Sequence, residues 1–247
     1  MNKLLPPAFT ILVIFVGLTQ PGFSQVHPQK SMVCSGQTYN NITCKAMSPL
    51  FAGRGCGSTD NNVIAVAAGD RIVVWTDTNK SGTITSLTDS AGDTYTLLGY
   101  LTNARWGPRN SLTDAAWTAI AKKTTTLNIK VNCNGSGGSF ELAAVALSSS
   151  VGTVGIDCTS TWTAVTHATS VSSTCTSLKN NDLVISTVDW YNTQPKAGSG
   201  WTELKDKGTE WVFELVKRTS PGAVTGKWTN FADDMISGTI AFSDGKQ

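Results

Sequence analysis

A two-residue alternation of apolar and polar side chains, interrupted by turn residues, runs through most of this chain from Val63 onward. Segments rich in Val, Ile, Thr, Trp and Tyr alternate with turns of Gly, Asn, Asp and Ser. Successive side chains of a β-strand point to opposite faces of its sheet, so this alternation is typical of strands joined in hairpins. No window keeps a helical period with caps over about ten residues. The pattern predicts an all-β fold, an antiparallel β-sandwich.

The strands predicted from the alternation share β-branched or aromatic residues and end at turn residues. They cover residues 63–67, 71–77, 83–89, 94–101, 115–122, 127–133, 140–148, 153–157, 183–190, 201–206, 210–217, 223–229 and 235–242. Residues 71–75 are apolar on both faces, which indicates a central strand. Residues 127–131 alternate, which indicates a strand with one wet face.

The second half of the chain resembles the first. Segments 117–123 and 140–148 match segments 212–218 and 235–243 at one offset of 95 residues. Earlier segments, 70–74 and 94–97, match 182–186 and 200–204 in the same order. We interpret this as an internal duplication, with pseudo-repeats at about 63–157 and 180–244. One composite jelly-roll-like sandwich is favoured over two small ones, since a short β-domain buries little surface.

The N-terminus has the three parts of a cleavable secretory signal. Lys3 is followed by an apolar run at 11–18 and by small residues at Gly22 and Ser24. The run is shorter than the roughly 20 apolar residues that span a bilayer. We therefore predict a signal peptide at 1–24, a mature chain starting at Gln25, a secreted protein and no membrane span after cleavage.

Six cysteines predict disulfide bonds, since their number is even and the chain is predicted to be exported. The expected pairs are Cys34–Cys44, Cys158–Cys175 and Cys56–Cys133. No C-x-x-C motif occurs and the chain has only 2 histidines, which argues against zinc.

Composition and charge divide the mature chain and limit its partners. Residues 25–62 are rich in Ser, Gly, Pro, Asn and Cys, and are interpreted as a disulfide-stapled N-terminal arm before a β-sandwich domain at 63–247.

Hydrophobic residues make up 40% and charged residues 15%, which favours a packed core over disorder. Without Lys3, 18 basic residues face 17 acidic ones, so the net charge is +1. This charge indicates no nucleic-acid partner.

Several turn and strand motifs between residues 63 and 243 are shared with a known type of domain. They are segments 69–74, 88–96, 181–185, 200–202 and 240–243. In these motifs the chain resembles a poorly characterised, jelly-roll-like β-sandwich repeat of bacterial secreted and surface proteins. The resemblance implies the sandwich fold and no defined catalytic residues. The cysteines and the N-terminal arm are not part of the shared pattern.

Catalysis on carbohydrate would need two carboxylates about 5–10 Å apart. Glu210 and Glu214 share a face of one predicted strand, but about 13 Å separates such positions. The fallback candidates for a catalytic pair are therefore Asp189 with Glu210 or with Glu214, from neighbouring strands.

A weak calcium candidate lies at Asp77, Asn79 and Ser81, where oxygen-bearing side chains alternate before Gly82. The twelfth position of such a loop is Thr88 rather than an acid, and Lys80 adds positive charge. A plain hairpin turn explains the same residues. The sequence therefore predicts no metal and no cofactor, with calcium as the alternative.

Aromatic residues at strand ends and in loops are the candidates for ligand binding, because an exposed ring can stack on the apolar face of a sugar. These candidates are Trp106, Trp162, Trp190, Tyr191 and Trp201. The tryptophans inside predicted strands, at 75, 117, 211 and 228, are assigned to the core.

The leading functional hypothesis is a secreted, non-catalytic β-sandwich that binds a polysaccharide or a cell-surface component, or that builds a surface assembly. The alternatives are a carbohydrate-active hydrolase or lyase with paired carboxylates, and a structural fibre or coat subunit that self-assembles through its N-terminal arm.

Overall fold

The computed structural model describes residues 36–48, 51–54, 62–79, 83–103, 112–134, 139–177, 179, 183–190, 195–204, 211–217 and 222–245. These residues form strands and turns, and none of them lies in a helix. The prediction of an all-β chain is therefore confirmed.

The strands are numbered in chain order. They are β1 Gln37–Tyr39, β2 Ile42–Met47, β3 Phe51–Arg54, β4 Asn62–Val66, β5 Arg71–Asn79, β6 Thr83–Asp89, β7 Thr96–Asn103, β8 Leu112–Ile120, β9 Thr125–Asn134, β10 Ser139–Ser149, β11 Gly155–Thr159, β12 Thr163–Ser177, β13 Leu183–Trp190, β14 Lys196–Ala197, β15 Thr202–Leu204, β16 Trp211–Lys217 and β17 Gly222–Ser243.

The strands pair antiparallel in three sheets. The first main sheet has the order β1-β2-β10-β5-β8-β7, with β3 also paired to β10. The second main sheet has the order β11-β17-β13-β16-β15, with β12 and β14 also paired to β17. A three-stranded cover sheet has the order β4-β9-β6.

The two main sheets share a central core. Val73 and Trp75 of β5 and Val145 of β10 belong to the same buried cluster as Ile185 of β13 and Phe242 of β17. Strands from both main sheets therefore face each other, as the layers of a β-sandwich do.

Each main sheet is also covered on its outer face. Ile72 and Val74 of β5 pack with Leu127 and Ile129 of β9, so the cover sheet lies against the first main sheet. Because neighbouring residues of β5 belong to different cores, β5 is buried on both sides, as its two-sided apolar sequence predicts.

The outer face of the second main sheet is covered by its own strands. We define the ribbon as residues 168–177 of β12 paired with residues 222–233 of β17. Trp228 of the ribbon packs with Val188, and its Nε1 donates a hydrogen bond to Ser186 Oγ at 3.1 Å. The burial of β17 changes at the exposed Phe231, after which residues 233–243 are all buried.

The structure differs from the predicted strands in two places near the ribbon. Residues 223–229 and 235–242 are one continuous strand, β17, and β12 occupies a Ser/Thr-rich stretch for which no strand was predicted. Ser173 explains the missed strand: it is buried, and its hydroxyl lies 2.6 Å from Thr239 Oγ1. Hydroxyls whose hydrogen bonds are made within the protein thus occupy inward positions, where a pattern of alternating hydrophobicity predicts apolar side chains.

Strands β1, β2 and β3 of the N-terminal arm belong to the first main sheet. β2 pairs with β10 in the register Val145↔Met47 to Ser149↔Ile42, and Ile42 is fully buried in the central core. These residues are thus sheet strands, although no periodicity marks them in the sequence.

Two cysteines fall on neighbouring strands of the second half. Cys158 of β11 and Cys175 of β12 form a disulfide with a Cα–Cα distance of 5.9 Å, so this predicted pair is confirmed. Cys44 and Cys133 are also disulfide-bonded. Their predicted partners, Cys34 and Cys56, lie outside the described residues, and those two pairings stay predictions.

Candidate functional site

Two of the aromatic binding candidates are core residues. Trp162 and Trp190 are each 6% exposed, so the expectation that they present ring faces to a ligand is wrong. Trp162 lies between the main sheets: a Cβ at Gly99 of β7 would lie 2.5 Å from its Nε1, and one at Gly238 of β17 would lie 2.6 Å from its Cε2. The two glycines leave the space that the indole fills.

The other aromatic candidates have different outcomes. Trp201 is half-buried and packs against Val184 and Val224 in the outer core of the second main sheet. Trp106 and Tyr191 lie outside the described residues and stay predictions.

The candidate catalytic residues are not paired with one another in the described strands. Asp189 of β13 is fully buried. In the β13–β16 register, Glu214 of β16 is paired with Ser186, which is three positions from Asp189. Glu210 lies outside the described residues.

The calcium candidate starts inside a strand rather than in a loop. Asp77 and Asn79 both belong to β5, Asp77 is buried, and its Oδ1 accepts a hydrogen bond from the Glu141 backbone N–H at 2.6 Å. Ser81 lies outside the described residues. Within the described segments, no group of three or more His, Cys, Asp or Glu residues could hold a metal ion.

A pair of buried acids lies on the inner face of the first main sheet. Asp114 of β8 is directly opposite Asp77 in the β5–β8 register and is 1% exposed. Burial raises the pKa of Asp114 well above its usual value, and the adjacent Asp77 carboxylate raises it further. Both carboxyls are enclosed, which makes them unsuitable for contact with a polymeric substrate.

An open groove lies at the opposite end of the same face, where β5, β7 and β8 begin or end. Its volume is about 450 Å³. The described lining combines two cations, three threonine hydroxyls and small apolar groups: Arg71, Thr94, Thr96, Thr118, Ala119, Ile120, Ala121 and Lys122. This groove is the candidate functional site.

The register explains how the groove is assembled. Arg71 is opposite Ile120 in the β5–β8 pair, and Thr118 is opposite both Val73 of β5 and Thr96 of β7. Arg71, Val73 and Thr118 therefore share one face of the first main sheet. The consecutive strands β7 and β8 and the earlier strand β5 thus supply the groove.

Arg71 is held in a defined orientation at the base of the groove. Its Nε donates to the Val154 carbonyl at 2.8 Å, and its Nη1 donates to Thr118 Oγ1 at 3.3 Å. Thr118 Oγ1 in turn donates to the Ile72 carbonyl at 2.9 Å. Burial lowers the pKa of the Arg71 guanidinium from its usual value.

Lys122 follows β8 at the rim of the groove. Its Nζ donates to the Gly92 carbonyl, and its backbone N–H donates to Asp93 Oδ1 at 2.9 Å. The turn that presents Gly92 is itself fixed, since Asp89 Oδ1 accepts the backbone N–H groups of Ala91 and Asp93. Both cations are thus positioned by backbone carbonyls and turn geometry.

Sequence reasoning missed this groove. The apolar sequence of residues 71–75 identifies Arg71 only as the first residue of a central strand. The available signal was a cation at the head of an otherwise apolar strand face, but the strand register that brings the threonines beside it is not visible in the sequence.

Comparison of this chain with protein-family models, with curated proteins and with solved structures finds no match. In the described segments there is no helix of the length and apolarity required to traverse a bilayer.

Proposed function

We propose that this chain is a secreted, non-catalytic β-sandwich protein that binds a polysaccharide in the groove at Arg71 and Lys122. The observation that carries the proposal is the open, strand-lined groove with three threonine hydroxyls. Hydroxyls and cationic donors can bond sugar oxygens, while Ile120 offers apolar surface to a sugar ring. A strand platform keeps such groups in place better than loops do.

Oxidised cysteines support the export that this function requires. Cys158 and Cys175 form a disulfide, and such bonds persist in oxidising compartments outside the cytosol. The predicted signal peptide at 1–24 is the route of export that we propose. The arm at 25–62 is proposed to be clipped locally by Cys34–Cys44 and stapled to the domain by Cys56–Cys133.

The lining of the groove bears on the hydrolase or lyase alternative, which requires paired carboxylates. None of its described lining residues is an acid. The acids of the first main sheet that could pair, Asp77 and Asp114, are enclosed between layers instead. The hydrolase or lyase alternative therefore gains no support from the described residues.

We further propose that the fold arose by internal duplication, as one composite jelly-roll-like sandwich. The order β10-β5-β8-β7 in the first main sheet parallels the order β17-β13-β16-β15 in the second. The pair Leu147↔Arg71 parallels the pair Phe242↔Leu183, at offsets of 95 and 112 residues. Similar strand order and register in both halves support a shared ancestor, as do the sequence matches.

The test of the function is polysaccharide binding by the purified secreted chain, measured by affinity electrophoresis in gels that contain neutral or acidic polysaccharides. Thr96→Tyr fills the groove and is expected to weaken retardation about tenfold, as the loss of one good contact does. Thr102→Tyr is the matched control, since Thr102 is an exposed threonine of the same strand outside the groove. If the folded chain binds no polysaccharide in the panel, the proposal is wrong.

A further inference from the structure

Arg71 has hydrogen-bonding capacity that the protein does not use. A guanidinium has five N–H donors. One bonds the Val154 carbonyl and one bonds Thr118 Oγ1, which leaves three without a partner among the described residues, on a side chain that lines an open groove. The two existing bonds orient the planar group, so the remaining donors have a defined direction.

The positive charge of Arg71 also lacks an acidic partner among the described residues. The acid next to it in sequence, Asp70, is engaged elsewhere: its carboxylate accepts bonds from Lys45 Nζ at 3.0 Å and from the Ala67 backbone N–H at 2.7 Å. The half-buried guanidinium thus has a carbonyl and a hydroxyl for neighbours, and neither neutralises its charge. Burying a charge without a counter-charge is unfavourable, so an incoming anion would be stabilising here.

The second cation of the groove, Lys122, differs from Arg71 in having an acidic neighbour, Asp93. Lys122 Nζ contacts the Gly92 carbonyl. The nearest acid, Asp93, uses Oδ1 to accept the Lys122 backbone N–H, and burial together with Asp89 raises the pKa of the Asp93 carboxyl. Asp93 and Lys122 also attract each other electrostatically, so Lys122 adds positive charge at the rim while Arg71 is the cation of the groove without an acidic neighbour among the described residues.

We propose that the groove selects acidic polysaccharides, with Arg71 as a fork that binds the oxyanion of an acidic sugar, Lys122 as a second positive charge, and the threonine hydroxyls as partners for the sugar hydroxyls. The bound group is an oxyanion, a uronate carboxylate or a sugar sulfate, since the guanidinium fork fits both. This inference rests on the proposed polysaccharide-binding function and names the chemical class of its ligand.

Comparison with the second main sheet predicts how many oligosaccharides bind to each chain. Leu183 of β13 occupies the register position that Arg71 occupies in β5, since Leu183 pairs with Phe242 as Arg71 pairs with Leu147. Leu183 is fully buried in the central core. The described residues therefore provide one such cationic groove per chain, and we expect one oligosaccharide bound per chain.

The test is isothermal titration of the full secreted chain with an oligogalacturonate, with the same oligosaccharide after reduction of its carboxyl groups, and with a sulfated galactan oligosaccharide. We expect one site per chain and an acidic sugar bound at least about tenfold more tightly than its neutral counterpart. Arg71→Gln should abolish this preference, and Lys122→Gln should reduce it several-fold. Lys227→Gln, which removes an exposed charge outside the groove, should leave it unchanged.

Arg71→Lys keeps the positive charge and removes the planar guanidinium, so it separates the two contributions to binding. It also serves as a second variant if Arg71→Gln does not fold. It should retain part of the preference for acid, and each variant is checked by its thermal unfolding midpoint. Sulfated ligand bound in place of uronate supports the oxyanion class and identifies sulfate as the group. Equal binding of the acidic and neutral sugars, unaffected by Arg71→Gln, overturns the inference and leaves the proposed function standing. Binding of none of them, nor of any polysaccharide in the gels, removes the proposed function itself.

Discussion

The two main sheets place similar strands in similar order and surround them with different chemistry. In the first, β5 carries Arg71 at one end of its inner face and Asp77 at the other, and the Arg71 end is open. In the second, β13 starts with the buried Leu183, and every residue of the strand is buried. The comparison teaches that one strand scaffold can either close a core or leave a ligand groove, depending on a few end positions.

The outer layers of the two sheets differ in how the chain reaches them. The cover sheet of the first is built from separate strands, and β9 and β10 are distinct. In the second, β17 runs from the ribbon into the main sheet without a break, and β12 does the same with register shifts between Val165 and Ser170. His167, with φ of 47°, lies within this irregular stretch. Interior irregularities of this kind let a strand bend and change layer.

Exchanging the two matched end residues is expected to have the largest effect. Leu183→Arg would bury a charge in the central core and should lower the free energy of unfolding by about 5 kcal/mol or more. Arg71→Leu should change it by less than about 1 kcal/mol, because that site is open. Urea unfolding checks both, with Leu183→Ala, at about 2–5 kcal/mol, as the milder variant. Equal effects at the two positions would contradict the distinction between closed and open ends.

Truncation of Trp162, whose indole lies between the main sheets, is expected to have the second largest effect on stability. Trp162→Ala should destabilise the fold by about 3–5 kcal/mol, because it leaves a cavity between Gly99 and Gly238. Phe231→Ala is the control, since Phe231 is 80% exposed and its truncation should cost within about 0.5 kcal/mol. Denaturant unfolding followed by circular dichroism measures both. A loss at Trp162 no greater than at Phe231 would show that the main sheets do not depend on this residue.

The disulfide of the second half has the third largest expected effect. The double variant Cys158→Ala/Cys175→Ala opens a loop whose ends are 17 residues apart and should cost about 3 kcal/mol, chiefly through the entropy of the unfolded chain. Thr159→Ser/Thr176→Ser alters exposed neighbours on the same strands and serves as the control. Thermal unfolding under non-reducing conditions provides the measurement. An unchanged midpoint in the cysteine variant would mean that sheet pairing alone holds β11 and β12.

The smallest expected effect on stability concerns the buried acid pair of the first main sheet, Asp77 and Asp114. The folded-state pKa of Asp114 is raised, so folding is favoured while Asp114 is protonated and loses stability as the pH rises through that pKa. Asp114→Asn removes this loss and should stabilise the protein by about 1–2 kcal/mol at pH 8, with no difference below about pH 4. Unfolding measured from pH 4 to pH 8 tests it.

Asp70→Asn is the control for that measurement and should act in the opposite direction. Asp70 accepts bonds from Lys45 and from the Ala67 backbone, so loss of its charge weakens native contacts. If Asp114→Asn destabilised the fold at pH 8 as Asp70→Asn does, the ionised pair would have to be favourable in the folded state.

The sequence by itself determined the class of the fold and many of its elements. Strands β6 and β13 have the bounds that the alternation predicts, and Cys158–Cys175 joins the two cysteines expected to pair. These features are local: alternation over five to nine residues sets the strand, and a short loop brings the two thiols together.

Only the tertiary structure decided which residues form the candidate site. Trp162 became a core residue because two glycines on different sheets make room for it. The groove exists because the register of β5, β7 and β8 aligns Arg71 with threonines far away in sequence, at the end of a face that the second main sheet leaves open. Long-range pairing and the overlap of layers depend on the whole packed chain, so no local sequence pattern encodes them.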